Sequence, residues 1–176
     1  DVHFVETGEA TCLRSPTPRL DKPTSGVLVF GRTPRDAAAL SSSFEARNVE
    51  KRYLAIVRGY VAEQDRIVHP VSTERGKLEA ITGYRRLATV ELPHAVGRYE
   101  TALYSLVIAI PETGRTHQLR RHFKHIFHPL VGDTTYGEGR HNRFFREQFG
   151  CSRLLLAAVR LAFQHPFTGE RLDIFC

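Results

Sequence analysis

The 176-residue sequence contains no methionine, no tryptophan and only three cysteines. Cys12, Cys151 and Cys176 are odd in number and lack a C-x-x-C spacing. That argues against a disulfide scaffold and for a reducing compartment, so a cytoplasmic protein is expected. No long apolar run is present. The longest, around residues 103–110, falls far short of the roughly 18 residues of a membrane-spanning helix, so no membrane partner is expected. No charged-then-apolar leader opens the chain, and nothing in it points to secretion. The sequence begins at Asp1 rather than Met. With methionine absent throughout, we expect an N-terminally truncated chain or one with residues omitted. Spacings within a motif therefore weigh more than spacings between motifs.

What is present is a balanced globular composition, 41% apolar and 25% charged. We expect one domain over residues 1–176, monomeric and long enough to bury a core without metal or disulfide staples. The formal charge of +6 is unevenly spread. Residues 113–176 hold 10 basic and 5 acidic side chains, whereas residues 61–112 hold 6 and 7. A concentrated basic surface is the footprint of a polyanion binder, although a merely solvated surface carries the same charge.

Periodicity gives a coarse outline. Val27–Phe30 reads as a buried strand, and Thr33 followed by Pro34 as the start of a helix reaching about Phe44. Arg52–Tyr60 reads as a strand with Tyr53, Ala55 and Val57 on one face. Residues 70–80 read as a loop, and strands follow around Tyr84–Leu92 and Glu100–Ile110. Leu119, Phe123 and Ile126 have helical spacing, and Leu154–Phe163 and Arg171–Phe175 read as closing strands. Strands outnumber helices without alternating regularly with them, which implies an α+β fold with a mixed, largely antiparallel sheet.

Four segments carry chemistry. In Arg19-Leu20-Asp21-Lys22-Pro23-Thr24-Ser25-Gly26 a carboxylate stands between two cations in a turn, which would keep it ionised and project it from a scaffold. A salt-bridged surface turn has the same composition. In Lys51-Arg52-Tyr53-Leu54-Ala55-Ile56-Val57-Arg58-Gly59 an aromatic beside basic residues suits base stacking, or simply core packing. In the segment Thr113 to Phe123, His117, Arg121 and Lys124 gather opposite the apolar stripe, with His125 and His128. Arg120 sits at the boundary, where a guanidinium reaches a partly buried carboxylate bidentately. The i, i+3 pairs His122/His125 and His125/His128 suggest a metal, but no cysteine or carboxylate joins them at a familiar ligand spacing. Solvated or phosphate-facing histidines are the better expectation. In His128-Pro129-Leu130-Val131-Gly132-Asp133-Thr134-Thr135-Tyr136-Gly137, Asp133 is either a second carboxylate for acid–base work or, better, an anchor for the turn.

In order, these segments resemble the RluA-type pseudouridine synthases. That family shows an H-R-L-D-[K/R]-x-T-S-G motif and a K-x-Y-x-A-x-V-x-G strand. It also shows a G-R-x-H-Q-L-R-x-H helix and an H-P-[I/L]-x-G-D-x-x-Y-G loop. The resemblance spans roughly residues 19–172, with Pro18 and Ala157 standing where the family usually has histidines. Residues 88–93, the doubled arginine Arg120-Arg121 and residues 165–170 narrow it to a branch that acts on tRNA.

The resemblance implies the pseudouridine synthase fold, a sheet flanked by helices with a central active-site cleft. It implies conversion of a uridine in RNA to pseudouridine with no cofactor and no metal. Asp21 would be the catalytic carboxylate, Tyr53 the stacking partner of the target base and Arg120 the partner of Asp21. Arg19 would enter the RNA stack as the base leaves it. Lys22, Arg115, His117, Arg121 and Lys124 would contact RNA. The tRNA-acting branch implies uridine 65 of the T-arm stem. The alternatives are a ribosomal RNA target, a non-catalytic RNA-binding protein, and a metal-dependent nuclease built on the histidines.

Overall fold

The computed structural model describes residues 20–74 and 76–176. Seven strands form one sheet: β1 (Ser25–Gly26), β2 (Val49–Arg58), β3 (Gln64–Val68), β6 (Ile81–Leu92), β7 (Ala102–Pro111), β8 (Leu156–Gln164) and β9 (Arg171–Phe175). Their order is β1-β8-β2-β7-β6-β3, with β9 also paired to β8. All pairings are antiparallel except β1 with β8. A separate hairpin joins β4 (Val71–Thr73) to β5 (Gly76–Leu78). The helices are α1 (Pro34–Glu45), α2 (Gln118–His125) and α3 (Gly139–Phe149).

Helix α1 starts where Thr33 and Pro34 place it. The Thr33 hydroxyl accepts the Asp36 N–H at 3.2 Å, and the Asp36 carboxylate accepts the Thr33 N–H at 3.0 Å. This reciprocal cap satisfies two otherwise orphaned donors and contributes about 1 kcal/mol. Strand β2 alternates as expected. Ala55 and Val57 are buried against Leu119 and Phe123 of α2, with Tyr53 packed at the edge of that cluster. Ile56 faces the other way and packs beside Phe144 and Phe145 of α3. The two helices therefore cover opposite faces of the sheet.

Helix α1 covers the α2 face further along β2, through Leu40, Val49, Leu161 and Phe163. Between the two clusters on that face, Lys51 and Tyr53 are left without a helix above them. A register shift opposite Tyr53 skips Val159 in the β2–β8 ladder and lets β8 present both Ala158 and Leu161 to the same side. The gap between α1 and α2 is the cavity described below.

Three expectations need correction. Val27–Phe30 is not a buried strand: the ladder ends at Gly26, Leu28 and Phe30 are exposed, and Val27 and Val29 pack beside α1. The run is apolar because part of it lines the cavity. Within residues 70–80, expected as a loop, Val71–Thr73 and Gly76–Leu78 pair as strands β4 and β5. Helix α3 and strand β3 were not anticipated. In α3 the buried face is His141, Phe144 and Phe145, and a polar histidine in that stripe hides its period. In β3 only Ile67 is buried, so no alternation shows.

Candidate active site

A cavity of about 420 Å³ opens between α1 and α2 over β2 and β8. Asp21, Lys51, Tyr53, Arg115 and His117 line it with the apolar side chains of Leu20, Val29, Phe44, Leu119 and Leu156. An apolar concavity holding a few convergent polar groups is the usual form of a small-ligand site.

Asp21 reaches the cavity from a turn closed by the Thr24 N–H to the Asp21 carbonyl at 2.7 Å. The turn is tied to the sheet two residues further on. Gly26 has φ 111°, and a Cβ there would lie 2.0 Å from the Ala158 carbonyl oxygen, so only glycine allows β1 to dock on β8. The Asp21 side chain is 20% exposed, with an imidazole and a guanidinium beside it. His117 Nε2 stands 3.8 Å from Oδ1, and Arg120 Nη1 stands 3.7 Å from Oδ2.

Arg120 makes its short contacts elsewhere. Its Nε and Nη2 donate to Asp133 Oδ2 and Oδ1 at 2.7 and 2.8 Å, a buried bidentate pair. Asp133 Oδ1 also accepts the N–H groups of Thr135 and Tyr136. Burial raises the Asp133 pKa, but the Arg120 hydrogen bonds and these two amides outweigh it and hold the carboxyl below its ordinary value. Asp133 is thus both the turn anchor and the residue that aims Arg120. The bidentate reach expected of Arg120 is realised on Asp133, with Asp21 at ion-pair distance only.

His117 is not within α2. It is the residue before it, in the left-handed region at φ 55°. Its Nδ1 lies 3.0 Å from the Tyr136 hydroxyl, and the Tyr136 ring lies 5.0 Å from the Arg120 guanidinium carbon. Tyr136, part of the D-x-x-Y-G segment, was not anticipated as a site residue. The loop before α2 is pinned by buried Gln118. Its Oε1 accepts from Thr113 Oγ1 and Arg115 N, and its Nε2 donates to the Ile81 carbonyl.

Tyr53 lies on the cavity floor, and its phenol is pushed up to about 12, first by burial and then by the charge of Asp21. Lys22 is exposed beside Asp21. Arg115 donates to the Glu79 carbonyl at 3.1 Å and Arg121 to the Ser72 carbonyl at 2.7 Å. Arg121 and exposed Lys124 both approach the Tyr136 ring at 5.8 Å. Arg19 and Pro18 lie outside the described residues. Ala157 is paired with Ser25 and Leu54. The basic residues of the last third divide between two faces of the sheet, because α3, with Arg140, Arg143 and Arg146, packs opposite α2.

His122, His125 and His128 serve packing. His122 is fully buried and its Nε2 lies 3.0 Å from the His69 carbonyl oxygen. His125 stacks on His69 at 3.6 Å, and His128 bonds the Arg58 carbonyl. Among the described residues no cluster of three or more His, Cys, Asp or Glu side chains is arranged to hold a metal. Nor is any helix among them long and apolar enough to cross a membrane.

Residues 13–125 match the family model described as RNA pseudouridylate synthase. The tRNA pseudouridine synthase C of Haemophilus ducreyi is 48% identical over 170 residues, covering 90% of this chain and 70% of that protein. That of Haemophilus influenzae is 46% identical over 171 residues, covering 90% and 72%. Among solved structures, human RNA pseudouridylate synthase domain containing 1 superposes with a TM-score of 0.70 at 30% identity, over 90% of this chain and 66% of that one. The chain therefore spans about two thirds to three quarters of the length of these proteins.

Proposed function

The chain belongs to the RNA pseudouridylate synthase family, of the RluA type, and from that premise we propose that it isomerises uridine 65 of tRNA to pseudouridine with Asp21 as the catalytic carboxylate. The observation that carries the reading is the placement of Asp21. It is a partly exposed carboxylate in an apolar cavity, flanked by His117 and Arg120 and facing the same space as Tyr53. The choice of tRNA follows the names of the relatives; a ribosomal target is the rival.

The reaction breaks the N1–C1′ bond of a uridine, turns the uracil and joins C5 to C1′. No atom is gained or lost. The base must leave the RNA stack to turn, which costs a few kcal/mol. Tyr53 offers it a new aromatic face worth about 1–3 kcal/mol. Arg120, fixed by Asp133, supplies positive charge beside Asp21 before substrate arrives. Arg115 and His117 line the cavity, and they, with Lys22, Arg121 and Lys124, would hold phosphates, with Arg19 as the residue that fills the gap left by the base.

The test is Asp21→Ala with tRNA carrying 5-tritiated uridine. Tritium release should vanish while RNA affinity stays within about threefold of wild type. Substantial isomerisation by the variant would sink the assignment. Mapping pseudouridine in tRNA and ribosomal RNA from cells lacking the protein decides between the two substrates.

A further inference from the structure

Lys51 has no place in the scheme so far. It stands two residues before Tyr53 on the same face of β2, in the gap between the clusters under α1 and α2, and its side chain lines the cavity. Its ammonium donates to the Thr113 carbonyl at 3.3 Å, and among the described residues no carboxylate pairs with it. Burial alone lowers its pKa, and no neighbouring charge compensates. Asp21, the carboxylate of this cavity, is served from the other side by His117 and Arg120. A half-buried cation with one carbonyl partner and no described counter-ion is only partly repaid for its lost solvation. Among the described residues the complementary charge is missing, and the open side of the ammonium faces the cavity.

We propose that Lys51 touches the uracil ring and stabilises the negative charge that the base acquires when its glycosidic bond breaks. The inference rests on the pseudouridine synthase reading of the site. Cleavage of N1–C1′ leaves the bonding pair on N1, from where it spreads to O2 and O4. The ammonium donates a hydrogen bond to one of these oxygens, and no proton is transferred to the base. When C5 joins C1′ the pair enters the new bond, the C5 proton leaves and N1 takes one up, so product and substrate have the same atoms. A phosphate is the poorer partner. Lys51 lines the cavity beside Tyr53, whereas Lys22 and Lys124 are exposed and freer to meet an RNA backbone. A donor fixed in a desolvated site acts most strongly on charge that develops during reaction.

The other ionisable side chains facing the cavity are Asp21 from the β1 turn, Tyr53 from β2, Arg115 and His117 from the loop before α2, and Arg160 from β8. Tyr53 titrates only near 12, and Arg160 is paired with Asp173 and Glu50. Ionisation of free uridine is the same for every variant, and the rate at subsaturating concentrations reports the free species. An alkaline fall in rate that moves when only Lys51 changes therefore reports its amine.

The experiment measures single-turnover pseudouridine formation and RNA affinity for wild type, Lys51→Met, Lys51→Gln and Lys51→Arg, with thermal melting as a folding check. Loss of a donor aimed at developing negative charge should slow the neutral variants about 100- to 1000-fold, with RNA affinity within about threefold of wild type. Lys51→Arg should recover most of the rate and shift the alkaline fall to higher pH, because a guanidinium keeps its charge. Folded neutral variants that react at the wild-type rate overturn the proposal. So does a loss confined to RNA affinity, which would make Lys51 a phosphate ligand. If Lys51→Met and Lys51→Gln both fail to fold, an unmoved alkaline limb in Lys51→Arg overturns it. Wild-type protein that forms no pseudouridine defeats the functional reading instead, separately from this one.

Discussion

Arg120 is gripped by Asp133 at 2.7 and 2.8 Å and stands 3.7 Å from Asp21. The residue proposed to organise catalysis is thus held by one carboxylate so that it can face another. Removing one partner of a buried ion pair strands the other charge and costs about 3–5 kcal/mol. Asp133→Asn should lower unfolding free energy by roughly that amount in denaturant titrations. It should also reduce the rate, because Arg120 loses its fixed direction. An unchanged rate would show that Arg120 needs no such anchor.

The same carboxylate sets an acid limit. The folded pKa of Asp133 lies below its ordinary value of 3.8, so its contribution is complete above that pH. It fades as pH falls from there through the lower folded value, where the native state too takes up the proton. Stability measured between pH 5 and pH 2 should fall more steeply for wild type than for Asp133→Asn.

Tyr53 is expected to act through its ring. With the phenol pushed up to about 12, it stays neutral at every pH where the protein would be assayed. Tyr53→Phe should therefore keep RNA affinity and the shape of the pH–rate profile. Tyr53→Ala should lose about 1–3 kcal/mol of base contact, roughly 5- to 150-fold. A Phe variant as damaged as the Ala variant would assign the work to the hydroxyl.

His122 and His141 are buried, and desolvation lowers the pKa of each; at His141 the charge of Glu138 partly offsets this, and at His122 the bond to the His69 carbonyl does. The unfolded chain then binds protons that the native state refuses. Stability is full above the unfolded value of about 6.5 and declines as pH falls below it, by up to about 1.4 kcal/mol per pH unit for each group. His122→Gln should flatten that slope between pH 6.5 and pH 5. A slope identical to wild type would place the acid sensitivity elsewhere.

Phe127 is the outlier of the α2 C-terminus, with φ 64° and its side chain 85% exposed. A non-glycine residue in the left-handed region costs about 1–2 kcal/mol, and so exposed a ring recovers little by burial. Phe127→Gly should raise the melting temperature. A lower one would reveal packing by the ring.

The motifs were legible because each holds reactive residues at short spacing. Asp21, Tyr53, Arg115 and His117 do converge on one cavity. Partnerships were less legible. Nothing in the helical spacing of Arg120 tells that its short bonds go to a residue 13 positions later, since that depends on how the 128–137 turn packs back. Gly132 makes that turn: its φ is 80°, and a Cβ would lie 1.9 Å from the Arg153 carbonyl oxygen. Lys51 read as a strand cation and Val27–Phe30 as core, because a cavity lining and a core have the same composition. Helix α3 escaped notice because its buried stripe includes His141, and β3 because an edge strand needs only one buried residue.

The pairing of Ser25 and Gly26 with Ala157 and Ala158 has a consequence in time. The strand that docks the Asp21 turn is made about 130 residues after it, on the order of ten seconds later at ribosomal speed. A growing chain carries the aspartate, the tyrosine and the arginine long before it has the ledge that brings them together. Until that ledge has been synthesised, the turn bearing Asp21 has no sheet to dock on.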